Sequence, residues 1–78
     1  MALYELWDLP SRNLVETYAT EQQALDDLRA MISTHGAEYV ADFMLGEEDA
    51  QGRSHLIAQG ADLVALALAS QPEPSSSR

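Results

Sequence analysis

The pattern of apolar and polar residues divides the chain into six elements. Residues 2–8, Ala-Leu-Tyr-Glu-Leu-Trp-Asp, come close to alternating and include aromatics, so they read as a strand. Leu9-Pro10-Ser11-Arg12-Asn13 supplies turn formers, and residues 14–19, rich in β-branched and aromatic types, read as a second strand that closes a hairpin. Thr20 is then a good helix N-cap, with Gln23 at the capping-box position and Glu21 placing an anion in the first turn. Ala24, Leu25, Leu28, Met31 and Ile32 form one apolar stripe at helical spacing. His35 suits the last turn, and Gly36 suits the position just beyond it. Residues 38–46 read as a third strand and residues 53–59 as a fourth, joined by the polar turn of residues 47–52, in which Gly52 can supply a positive φ. Gly60 ends that strand. Residues 61–70 read as a second helix, apolar nearly all round and therefore expected to bury more than one side. A strand reading of Leu63-Val64-Ala65-Leu66 conflicts with the alanine content.

The predicted order is ββαββα. Two hairpins linked by a helix imply an α+β fold: a two-layer domain with one antiparallel sheet and its helices on one face, spanning residues 1–70. Residues 71–78, Gln-Pro-Glu-Pro-Ser-Ser-Ser-Arg, read as a disordered tail.

Alternation also sorts the strands into two rows. One row holds Tyr4, Leu6, Val15, Thr17, Tyr39, Ala41, Phe43 and Leu45 and is expected to face the helices. The other holds Leu3, Glu5, Trp7, Leu14, Glu16, Tyr18, Val40, Asp42 and Met44. On this second row each of the first three strands carries one acid among large apolar groups, while strand four is ambiguous, Leu56 and Ala58 pointing one way and His55 and Ile57 the other. A solvated face would be more polar, and a core face would lack acids. Such a mixture points to an interface, with Trp and Tyr as anchors. Glu5, Trp7, Glu16, Tyr18, Asp42 and Met44 are accordingly the candidate binding residues. If Trp7 pairs with Leu14, unbroken alternation sets Glu5 opposite Glu16, a like-charge conflict that would suit a divalent cation or a basic partner. A register shifted by two would relieve it by setting Glu5 beside Tyr18 and Glu16 beside Trp7.

Composition narrows the classes of function. The 78 residues include 13 acids and four basic residues, all Arg, for a net charge of −9. Nucleic-acid affinity needs clustered Lys or Arg, and Arg12, Arg29, Arg53 and Arg78 are scattered, so no nucleic-acid role is expected. The longest apolar run, residues 63–69, falls far short of the roughly 20 residues that span a bilayer. No basic segment precedes an apolar stretch at the N-terminus, so no signal peptide is read and the expected setting is cytoplasmic, away from membranes. With no Cys there is no disulfide framework, thiolate metal site or cysteine nucleophile.

Motifs for chemistry are sparse. No G-x-G-x-x-G, Walker or G-x-S-x-G pattern occurs, and the acidic turn lacks the ligand spacing of a calcium loop. His55 with Glu47, Glu48 and Asp49 is at most a weak carboxylate–imidazole set; a solvated turn beside a strand histidine accounts for it. Neither catalytic residues nor a cofactor are expected.

Residues 14–32, a strand, a Thr cap and then Ala-Leu with further apolar positions, resemble the strand-to-helix passage of HicB-type antitoxin domains. The order of elements over the whole chain looks more like that of short uncharacterised bacterial ββαββ(α) proteins. The chain departs from HicB-type domains in having two strands before its first helix and no DNA-binding module after it. The resemblance implies a fold and no activity. Together these readings lead to an expected small acidic non-enzymatic interaction module, acting as a homodimer in an antitoxin-like or regulatory role, with a basic protein as a further partner. The alternative is a small-ligand or divalent-metal-binding protein that uses carboxylates on the sheet face.

Overall fold

The structure, a computed structural model, describes residues 2–70; the tail expected over residues 71–78 lies outside the described residues. Its elements are β1 (Leu3–Asp8), β2 (Asn13–Tyr18), α1 (Glu21–His35), α2 (Ala37–Val40), β3 (Phe43–Glu48), β4 (Ser54–Gln59) and α3 (Gly60–Ala69). The fold is the α+β arrangement expected: a four-stranded antiparallel sheet in the order β2-β1-β3-β4, with helices following each hairpin.

The register shows two ββα units related by an approximate twofold axis. The axis passes between Leu6 and Leu45, which pair across the two central strands and are both fully buried. In the first hairpin Leu6 faces Glu16 and Trp7 faces Leu14, so Val15 is an extra residue on β2. In the second, Leu45 faces Ala58 and Gly46 faces Leu56, so Ile57 is an extra residue on β4. Both edge strands are thus interrupted by a bulge at the same place. Bulges twist an edge and break its row of free backbone groups, which blunts edge-to-edge pairing.

One side of the sheet carries the core. Leu6, Phe43, Leu45 and Ala58 pack there against Ala24, Leu25 and Leu28 of α1 and Leu63 and Ala67 of α3. The α1 stripe is the one expected. Its start is fixed by Thr20, whose Oγ1 accepts from Gln23 N (3.1 Å), while Gln23 Oε1 accepts from Ala19 N (3.2 Å). Helix α3 buries two sides, against the sheet and against α1, as its all-round apolar pattern implies.

The third strand starts later than alternation suggested. Gly36, at φ 92°, ends α1, and Ala37–Val40 then form one helical turn, α2, before β3 begins at Phe43. His35, Tyr39 and Phe43 recur at helical rather than strand spacing, with ring centroids 4.4 Å apart in a tilted His35–Tyr39 contact and 5.3 Å apart in an edge-to-face Tyr39–Phe43 contact. Val40, assigned by alternation to the far face of the sheet, is instead fully buried in the core.

Candidate interaction surface

The side of the sheet away from the helices has no layer covering it among the described residues. Register places three rows of side chains across it. Leu14, Trp7, Met44 and Gln59 form the first row, Thr17, Glu5, Gly46 and Leu56 the second, and Leu3, Glu48 and Ser54 the third. Trp7 and Met44, on the central strands, are half-buried by their neighbours. The surrounding leucines are not covered: Leu3 is 38% exposed, Leu14 46% and Leu56 59%. Large apolar side chains standing together in water are uncommon on a protein that works alone, and aromatic centres with aliphatic borders mark binding surfaces.

Gly46 makes a notch in this face. It is buried although it has no side chain, and an added Cβ would lie 3.4 Å from the His55 carbonyl oxygen. A shallow depression of about 210 Å³ lies over it, bordered by Glu5, Trp7, Met44, Ser54, His55 and Leu56. The Glu5 carboxylate reaches this depression half-buried, with no hydrogen-bond or ion-pair partner among the described residues. Among the described residues no arginine lies on a strand: Arg12 and Arg53 sit in hairpin turns and Arg29 on α1. The imidazole at the border, His55, is engaged elsewhere, its Nε2 lying 3.2 Å from Asp49 Oδ2.

Of the six candidate residues, the structure brings Glu5, Trp7 and Met44 together on this face and sends the other three elsewhere. The Val15 bulge reverses the direction of everything after it on β2. Glu16 therefore stands beside Leu6 and Tyr18 beside Tyr4, on the helix side, and Glu5 faces Thr17. Neither register weighed from the sequence is the one formed: Trp7 does pair with Leu14, but Glu5 and Glu16 never meet. Tyr18 donates its hydroxyl to Asp27 of α1, which fixes its direction independently. Burial, and next to it the Asp27 carboxylate, holds the Tyr18 proton on well above the ordinary tyrosine range. Asp42 lies in the turn before β3 and borders a different depression of about 420 Å³, with Asp8, Ser11, Asn13, Val15, Tyr39 and Phe43. Sequence reasoning missed Leu56 and Gly46. Alternation gives Leu56 no fixed face because no signal in the sequence places the bulge beside it, and Gly46 reads only as a strand end.

Near the second hairpin turn, Asp49 organises the backbone. Its Oδ1 accepts from Gln51 N and Arg53 N (both 2.9 Å), and its Oδ2 meets His55. These bonds, that from Arg53 first, lower its pKa below the usual 3.8. Among the described residues no group of three or more acidic, His or Cys side chains is placed to hold a metal ion, and no helix is long and apolar enough to cross a membrane. No protein-family model, curated protein or solved structure matches the chain.

Proposed function

We propose that this chain is a small acidic interaction module without catalytic activity, and that its working surface is the open face of the sheet. A single observation carries the reading: Leu3, Leu14 and Leu56 stand exposed around half-buried Trp7 and Met44, with every helix on the opposite side. Covering this face with another protein removes apolar area from water, at about 25 cal/mol per Å² before the costs of association. The alternative, a divalent cation held between sheet carboxylates, loses its main support because Glu5 and Glu16 lie on opposite faces. A regulatory or toxin-neutralising role fits a module of this kind.

The test is the native complex, recovered by cross-linking in cells and followed by sedimentation of the purified protein. A Leu14→Asp/Leu56→Asp double variant should lose the associated chain, be it a second copy or another protein. Leu68→Asp, an equally polar change on the outer side of α3, where Leu68 is 56% exposed, should retain it. An unaccompanied wild-type chain, or equal retention by the two variants, would refute the reading.

A further inference from the structure

The open face also says what its partner should carry. This step rests on the reading of that face as an interaction surface. Glu5 sits at the centre of the patch, half-buried, between the Trp7 side chain on its own strand and the notch at Gly46, and no cation among the described residues answers it. A protein laid over the face would take the carboxylate out of water, and a charge buried without a partner costs several kcal/mol. The covering surface must therefore bring a cation to that point. Among its described residues a second copy of this chain brings none, because its own open face carries Glu5 and no arginine there, and both copies carry a net charge of −9.

We propose that the face receives a different chain presenting an arginine between apolar side chains, with the guanidinium seated on Glu5 over Gly46 and against Trp7. Arginine fits better than lysine for physical reasons. Its planar fork matches a carboxylate with two hydrogen bonds, it stacks on an aromatic face, and it gives up its hydration more readily than an ammonium group. The missing side chain at Gly46 leaves room for it, and the flanking apolar groups cover Leu14 and Leu56.

The chain has one Trp, so fluorescence reports on this face directly. The probe is a short synthetic peptide containing Leu-Ser-Arg-Ser-Leu, compared with a twin in which citrulline, uncharged but of the same shape, replaces the arginine. The arginine peptide should shift Trp7 emission saturably and bind about tenfold or more tightly than the citrulline peptide. Glu5→Gln should abolish that preference. Glu16→Gln removes the same charge from the exposed edge strand and should leave the preference intact. Gly46→Ala, which fills the notch, should weaken both peptides. Equal effects of Glu5→Gln and Glu16→Gln would reduce the preference to bulk charge and overturn the inference. Loss of binding in Leu14→Asp/Leu56→Asp with no effect of Glu5→Gln would leave the interaction surface standing and remove the arginine seat. No effect of either would remove both. A dimer in sedimentation that Leu56→Asp dissolves would put a second copy on the face and overturn the arginine seat alone.

Discussion

Tyr18 shows how far one residue's direction matters. Its hydroxyl donates to Asp27, tying the edge strand β2 to α1 across the helix side of the sheet. Tyr18→Phe removes that bond and should cost about 1 kcal/mol in urea unfolding at neutral pH. The bond also predicts alkaline sensitivity. Burial and Asp27 raise the Tyr18 pKa above its ordinary value of 10.0, so the folded state holds a proton that the unfolded chain has released. The stabilisation is complete below pH 10 and is lost as pH rises from there toward the folded value. Melting temperature should fall over that range in the wild type and fall less in Tyr18→Phe; parallel curves would show that the hydroxyl does not stabilise the fold. Tyr4, whose pKa is also raised, remains as a smaller source of the same trend. The direction of Tyr18 was not legible in the sequence. Alternation has period two only while the ladder is regular, and one extra residue, Val15, exchanges the faces of Glu16 and Tyr18 without any local mark in composition. Glu5, Trp7 and Met44 were legible because β1 and β3 pair without interruption along their length.

Among the elements, those defined by side-chain chemistry were legible and those defined by packing were not. Helix α1 announces its start with Thr20 and Gln23 and its end with Gly36. Helix α2 has no such signal: Tyr39 and Val40 have strand character in isolation, and Ala37–Val40 forms a helical turn because Val40 fills the core and Tyr39 bridges His35 and Phe43. The second hairpin turn was legible as a polar turn, but not the residue that organises it. Asp49 accepts two backbone N–H groups and meets His55, and these interactions favour its ionised form in the folded state. A carboxyl with a lowered pKa stabilises the fold above its unfolded value of 3.8, and that contribution is lost as pH falls below it. Urea titrations at pH 7 and pH 3 should therefore show the wild type losing more stability on acidification than Asp49→Ala, which has already lost the turn bonds. An identical acid loss in both proteins would assign it to the other carboxylates.

For the whole molecule, charge acts in opposite directions on folding and on association. The chain carries thirteen acids and four arginines, and among the described residues the one pair of fixed opposite charges is Arg29 with Asp26, while His55 meets Asp49 as a hydrogen-bond partner. The remaining carboxylates repel one another, and the compact state bears that repulsion more than the extended chain does. Salt shortens the reach of this repulsion from about 10 Å at 0.1 M to about 3 Å at 1 M. Added sodium chloride should therefore raise the melting temperature by several degrees, since about 1 kcal/mol is worth about 4–8 °C in a domain of this size. The same screening removes the long-range attraction that guides a cationic peptide toward an acidic surface, so the association rate should fall over the same salt range. The bond between guanidinium and Glu5, formed at close range and shielded by Trp7 and the surrounding leucines, is less exposed to salt, so dissociation should change much less than association. Stopped-flow Trp7 fluorescence with the arginine peptide separates the two rates. If salt instead speeds dissociation as much as it slows association, the peptide is held by the diffuse field of the −9 charge and not by a seat on the sheet. A melting temperature that stays flat with salt would show that the acids lie too far apart to burden the fold.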